Sequence, residues 1–130
     1  LELQLASKLP MVRIDENQIK QALLALLINA IEATEKDGVL RVETVCAANA
    51  RTVAIHVIDS GIGIPEEIQR KIFEPFFTTK SEMRGVGLGL ATAYGIVEQH
   101  GGRISFSSAL NKGTTFTISL QALAKESNAL

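Results

Sequence analysis

The sequence predicts an α+β fold, a two-layer sandwich in which a mixed or antiparallel sheet carries helices on one face. Three observations lead there. The clearest β-like runs come in adjacent pairs, Val39 to Cys46 with Thr52 to Ile58, and Arg103 to Ser108 with Thr114 to Leu120. Helical stretches separate the pairs instead of alternating with single strands, so a Rossmann arrangement fits poorly. Hydrophobic residues make up 46% of the 130-residue chain, enough for one buried core and too many for disorder over most of its length.

Leu1 to Leu5 alternates apolar and polar residues, as a half-buried strand does. Asp15 followed by Gln18 resembles a capping box, and the helix it opens is expected to run to about Glu35, with Gly38 in the turn beyond. Ile19, Leu23, Leu26, Ala30 and Ala33 form its apolar stripe. The first strand pair is joined by Ala47 to Arg51, a hairpin connection. Glu66 to Ile72 reads as a short helix with acidic residues in its first turn. The stretch with Pro75, Thr78, Thr79 and Lys80 fits neither period and reads as a loop. A second long helix follows Gly89, and Gly101 is placed to end it as the residue after the C-cap. Asn111-Lys112-Gly113 supplies the last turn. One domain over 1–120 is expected, with 121–130 as a polar tail or the start of a linker.

Composition removes several functions. A formal net charge of -1 and no run of Lys or Arg give no support to a nucleic-acid partner or direct membrane contact. Cys46 is the only cysteine, which excludes an internal disulfide framework and a cysteine-rich metal site and suits a reducing compartment. Ala22 to Ile31, the longest nearly apolar stretch, contains Asn29 and is too short to span a bilayer. The chain opens at Leu1 without a basic-then-apolar leader, so it is expected to be a cytoplasmic piece of something larger, with any membrane anchor elsewhere.

Four segments carry candidate chemistry. Asn29 sits at the edge of the apolar stripe beside Ala22 and Ala25. Its amide oxygen there can either coordinate a hard cation such as Mg²⁺ or simply bond a neighbouring loop. Asp59-x-Gly61-x-Gly63 directly follows a strand. A buried carboxylate can accept from an exocyclic amino group while the glycines admit a ring or phosphate; the competing reading is a glycine-rich turn with an Asx cap. Gly85, Gly87 and Gly89 alternate before a helix, with Leu88 between the last two. They form either a polyphosphate cradle or a flexible hinge. Leu90 holds the place of a dinucleotide fingerprint's third glycine, and no Lys-Ser/Thr pair makes a P-loop. Phe73, Phe76 and Phe77 lie in an irregular segment, where they must dock on the core or cover a ligand. Lys80 and Arg84 nearby offer the positive charge a triphosphate needs.

In this order the segments resemble the histidine-kinase-type ATPases, a family that also holds gyrase-like and chaperone ATPases. Asn29 to Ala33 resembles the N box, Asp59 to Gly63 the first glycine box, Phe73 to Phe77 the F box, and Gly85 to Gly89 the second glycine box. Gly113-Thr114 sits where a last glycine-threonine element is expected. The wording is similar to that of nitrogen-regulation and dicarboxylate-sensing kinases. The resemblance covers nearly the whole chain and implies a five-stranded mixed sheet backed by three helices, the Bergerat-type fold, with ATP under a lid. It implies that Asp59 holds the adenine amino group near Gly61 and Gly63, that Asn29 binds Mg²⁺, and that Gly85, Gly87, Leu88 and Gly89 wrap the phosphates. Lys80 or Arg84 would touch them, and Thr114 or Thr115 would reach the adenine.

Two positions depart from the wider family. Where gyrase-like members carry a Glu one turn before the N-box Asn, this chain has Ala25, whose methyl group cannot take a proton. Vigorous hydrolysis by this domain alone is therefore not expected. Phosphoryl transfer to a histidine on a separate dimerisation domain fits better, because the base can accompany the acceptor. Glu32 stands where many histidine kinases have Lys. His56, inside a strand, is read as structural, and His100, at a helix end, as a complement to the dipole; neither is expected to be the phosphoacceptor. The competing readings are a serine/threonine kinase of the same fold and a regulatory nucleotide-binding module without phosphotransfer. The resemblance further implies a response regulator downstream, and the isolated piece is expected to be a monomer.

Overall fold

The computed structural model describes residues 1–6, 8–34, 37–46, 51–74 and 89–123. Its elements run β1 (Glu2–Gln4), α1 (Glu16–Ala33), β2 (Leu40–Cys46), β3 (Thr52–Asp59), a 3-10 helix (Glu66–Lys71), α2 (Gly89–Gln99), β4 (Arg103–Ala109) and β5 (Gly113–Gln121). The strands form one five-stranded sheet in the order β1-β2-β3-β5-β4. Only β1 and β2 are parallel, with α1 as the crossover that parallel neighbours require; every other pair is antiparallel. The sheet is thus mixed and five-stranded, as the family resemblance implies. The short helix expected after Pro65 takes 3-10 form.

Strand alternation decides which side chains meet the helices. Val57, Phe116 and Phe106 form one cross-strand row, and Ile55, Ile118 and Ile104 the next. Phe116, Ile118 and Val57 are fully buried against Leu26 of α1 and Val97 of α2. Ala22 and Ala93 are also at 0% exposure, and their small side chains let the two helices approach closely. Ala22, three residues after Ile19 and four before Leu26, lies outside the predicted stripe but on the buried face. The opposite sheet face is largely polar: His56 pairs with Glu43 and Thr117, and its Nδ1 lies 2.8 Å from Thr117 Oγ1. Its role there is structural, as expected.

β1 is a strand but not a half-buried one: all three of its residues are exposed, Leu3 at 60%. Alternation in a sequence reports the strand, whereas burial needs a covering layer, and β1 stands at the sheet edge beside β2. Arg41 of β2 ties it down by an ion pair to Glu2 at 3.9 Å and a hydrogen bond to Gln4 at 3.3 Å.

α1 begins at its predicted N-cap, where Asp15 Oδ1 accepts from the Gln18 N–H at 3.1 Å. The return bond of a capping box is absent. The Asp15 N–H donates instead to His100 Nε2 at 3.0 Å, while His100 Nδ1 lies 2.8 Å from the Ile96 carbonyl. One ring nitrogen must accept and the other donate, so this His100 is a neutral tautomer that clasps the C-terminus of α2 to the start of α1. That replaces the cationic complement to the dipole expected from sequence. α1 stops at Ala33, short of Glu35, because Thr34 turns extended and its N–H closes on Ala30. α2 ends in a Schellman motif: Gly102 N–H to Val97 O and Gly101 N–H to Glu98 O, each 3.0 Å, with Gly101 at φ 73°. Past the expected boundary at Leu120, β5 continues to Gln121, Ala122 bridges Val12, and the Leu123 N–H donates to the Met11 carbonyl at 2.8 Å. The segment before α1 needs that partner, which carries the fold beyond 120. The remaining tail lies outside the described residues.

Candidate nucleotide-binding site

The site forms where β3 runs out of the sheet. Asp59, its last residue, belongs to the core face and is only 3% exposed. Its cross-strand partner is Thr114, at the start of β5 and 5% exposed, and Thr114 in turn faces Ser108 on β4. Asp59, Thr114 and Ser108 therefore make one row across three strands on the helix-covered face. These two, Asp59 and Thr114, are the buried polar side chains among the described residues.

The Asp59 carboxylate is half satisfied. The Gly61 N–H donates to Oδ1 at 2.8 Å, whereas Oδ2 is buried with no hydrogen-bond partner among the described residues. Burial is the larger influence on its acidity and pushes the carboxyl above its ordinary value. The backbone N–H groups of Gly61 and Thr114 pull it back part of the way. A buried acceptor held in place without a donor is costly in a free protein and suited to a ligand that brings one.

The loop after Asp59 is clamped on both sides. The Ile62 N–H reaches the Ala33 carbonyl at the end of α1 (3.2 Å), and the Ile62 carbonyl accepts from the Asn111 N–H (2.8 Å). A Cβ on Gly61 would lie 2.2 Å from the Ala33 oxygen, and one on Gly63 would lie 2.1 Å from the Ala109 oxygen. Gly63 also has φ 77°. The glycines are thus required by the protein's own backbone, and the Gly61 N–H bond to Asp59 Oδ1 is the Asx cap of the competing glycine-rich-turn reading; the ring or phosphate of the other reading is not what demands them. Gly113 serves similarly, since its Cβ would lie 2.1 Å from the Asp59 carbonyl oxygen.

Asn29 is half-buried on the flank of α1, between Ala25 and the Ala33 turn that receives the Asp59 loop. Gly89 opens α2 beside Ala25, where a Cβ on it would come 3.9 Å from the Ala25 methyl. α1 therefore links the Asp59 loop, Asn29 and the N-terminus of α2, and the first-turn N–H groups of a helix favour an anion. Among the described residues no three His, Cys, Asp or Glu side chains gather as a metal cage. Asn29 fits a cation that arrives already held by phosphates and water, since Mg²⁺ keeps such ligands. Glu32 is exposed.

Thr114 and Thr115 point to opposite faces. Thr114 sits with Asp59, while Thr115 joins Ile58 and Ser107 in the outer-face row; an open cavity of about 240 Å³ is lined by both threonines together with Asp59, Ser107 and Ser108. Phe73 docks on the core, with ring centroids 5.2 Å from Tyr94, 6.0 Å from Phe106 and 6.2 Å from Phe116. Lys80, Arg84, Gly85, Gly87 and Leu88 lie outside the described residues, as do Phe76 and Phe77. Ser108 was missed by sequence reading. Its signal was a polar residue at the third inward position of a strand whose first two are Ile104 and Phe106.

Comparison with known proteins identifies the family and the fold. Residues 14–124 match the family described as Histidine kinase-, DNA gyrase B-, and HSP90-like ATPase. Sensor kinase CckA of Brucella abortus (strain 2308) is 41% identical over 131 residues, covering 91% of this chain and 14% of that protein. Sensor histidine kinase ZraS of Escherichia coli (strain K12) is 46% identical over 110 residues, covering 85% and 23%. The chain thus spans less than a quarter of the length of these curated relatives. Among solved structures, the nucleotide-free catalytic domain of histidine kinase ThkA superposes with a TM-score of 0.79 at 36% identity, covering 93% of this chain and 78% of that one. Full-length ShkA in complex with AMPPNP also gives 0.79, at 30% identity, covering 95% and 26%. With the family matched over most of its length and the catalytic-domain fold shared, the chain belongs to the histidine kinase-, DNA gyrase B- and HSP90-like ATPase family.

Proposed function

We propose that this domain binds Mg·ATP and donates the γ-phosphoryl group to a histidine on a separate dimerisation domain, from which it passes to an aspartate on a response regulator. The observation that carries the reading is the buried, unpartnered Oδ2 of Asp59, an acceptor awaiting the adenine amino group. Asn29 would contribute one oxygen to Mg²⁺, and Gly89 with the preceding Gly85, Gly87 and Leu88 would surround the phosphates. Thr114, buried in the same cross-strand row as Asp59, would reach the base rather than Thr115. Lys80 and Arg84 would balance phosphate charge. Relatives support the signalling role: ThkA has been crystallised with the response regulator TrrA, and ShkA with the ATP analogue AMPPNP.

Ala25 lies where α2 opens against α1 and supplies no base, which favours transfer to a partner's acceptor over hydrolysis or serine/threonine kinase activity. No helix among the described residues is long and apolar enough to cross a membrane.

Calorimetric titration with AMPPNP, with and without Mg²⁺, on the native chain and on Asp59→Asn tests the pocket. Micromolar binding that Asp59→Asn abolishes is expected; equal binding by both chains would refute the role of Asp59. Adding a histidine-bearing dimerisation domain with labelled ATP should give an acid-labile phosphohistidine on that domain and none on His56 or His100.

A further inference from the structure

We infer that Ser108 is a positioning residue that sets the proton direction of Thr114 and thereby how the pocket reads the base. This rests on the reading that Asp59 receives the adenine amino group. Ser108 Oγ has three neighbours: the Ile64 N–H at 2.8 Å, the Gly113 carbonyl at 3.2 Å and Thr114 Oγ1 at 2.7 Å. It therefore joins the loop that follows Asp59 to the start of β5.

A serine hydroxyl has one proton and two lone pairs. The Ile64 N–H occupies one lone pair, so the proton and the other lone pair serve Gly113 and Thr114. Two arrangements satisfy these partners. In the first, Ser108 donates to the Gly113 carbonyl and Thr114 donates to Ser108, so Thr114 offers a ligand only lone pairs. In the second, Ser108 donates to Thr114, which frees the Thr114 proton for the ligand.

The adenine edge places a ring-nitrogen acceptor next to its amino donor. With Asp59 Oδ2 taking the amino group, the neighbouring ring nitrogen calls for a donor, and only the second arrangement supplies one. The distances make the change easy. At 2.7 Å the Ser108–Thr114 bond lies at the usual O–H···O length, whereas 3.2 Å to Gly113 lies beyond the usual range, so releasing that carbonyl gives up little. Donation from Ser108 also polarises the Thr114 O–H and strengthens its own donation. Ser108 thus acts on the base through Thr114, directly or by one water, and without touching it.

A cycle between a side chain and a ligand atom tests this. Native chain, Ser108→Ala and Ser108→Thr are titrated with AMPPNP and with its 1-deaza counterpart, in which CH replaces the ring nitrogen beside the amino group. The native chain should bind the 1-deaza ligand about tenfold more weakly, the worth of one buried hydrogen bond. In Ser108→Ala, Thr114 keeps its proton but loses the donor that fixes its direction and polarises it, so the gap should shrink to about threefold or less, and Ser108→Thr should restore it. Where Ser108→Ala does not fold by circular dichroism, Ser108→Cys takes its place with the same narrowing expected. An unchanged gap in Ser108→Ala, with both ligands weakened equally, would overturn the inference and leave Ser108 a structural tie. So would a native chain indifferent to the ring nitrogen. Asp59→Asn distinguishes the two levels: if it binds AMPPNP as tightly as the native chain, the adenine reading itself fails and this inference with it.

Discussion

Adding one methyl group at Gly61 or Gly63 should unfold this domain more readily in the complete absence of nucleotide. At Gly61 the new Cβ would stand 2.2 Å from the Ala33 oxygen and 2.6 Å from its carbon, both backbone atoms that no rotamer change can move. Overpacking of this kind costs about 1–3 kcal/mol. Displacing the loop also weakens the Ile62 N–H to Ala33 hydrogen bond, about 1 kcal/mol more. At Gly63 the contact with the Ala109 oxygen is joined by φ 77°, a left-handed conformation that adds about 1–2 kcal/mol for a residue with a Cβ. In a domain of this size each kcal/mol moves Tm by roughly 3–5 °C, so either variant should melt on the order of 10 °C lower. The assay is thermal unfolding of the apo chain by circular dichroism, beside AMPPNP titration at a temperature where all variants are folded. If the apo Tm of both variants stays within about 1 °C of native while affinity is lost, the glycines serve only the ligand's approach and the clamping argument is wrong.

Gly95 gives the opposite expectation. Nothing lies within 4 Å of a Cβ there and it sits inside α2, so Gly95→Ala should stabilise by about 0.5–1 kcal/mol, read as a raised Tm. His100→Ala should remove the acceptor of the Asp15 N–H and the donor to Ile96, lowering stability by about 1–2 kcal/mol with AMPPNP affinity kept; lost affinity would show that the clasp reaches the site. Asp59→Asn should raise the apo Tm at neutral pH, because burial holds the folded-state carboxyl above its ordinary value near 3.8. Below the unfolded pKa the acid is protonated in both states and costs nothing. The penalty of ionisation grows as pH rises towards the folded pKa and is complete above it. The advantage of Asp59→Asn should accordingly vanish as the melts are taken to pH values below the ordinary carboxylate range, and an advantage independent of pH would refute this account.

The sheet and both long helices were legible because each rests on a local signal. The Asp15 N-cap, the Gly101 C′ position and the period-2 runs of β2 to β5 are written in consecutive residues. What was not legible depends on residues far apart. Asp15 and Ile96 meet through His100, and no pattern near Asp15 announces that His100 will take its N–H in place of the Gln18 side chain. The exposure of β1 depends on its place at the sheet edge, and the reach of β5 on Val12. At the site, Asp59 and the glycines were visible as a motif, but their division of labour was not. Whether a glycine faces a ligand or a carbonyl is settled by what crosses above it, here Ala33 and Ala109.

That division of labour bears on how the pocket works. Among the described residues Asp59 Oδ2 is buried without a donor, a source of instability that a small domain tolerates only where the surrounding backbone fixes it. The clamp supplies the fixing. Gly61 sits against Ala33 and donates to Oδ1, Gly63 sits against Ala109, and Ser108 holds Ile64 to Thr114. Because α1 provides Ala33 and also carries Asn29, the acceptor proposed for the base and the oxygen proposed for the metal are both set by that helix. A nucleotide that satisfies Oδ2 should therefore stabilise the domain more than its phosphates alone, and adenosine should raise the Tm of native protein but not of Asp59→Asn. Stabilisation by tripolyphosphate equal to that by AMPPNP would place the binding energy at the other end of the ligand and remove Asp59 from its role.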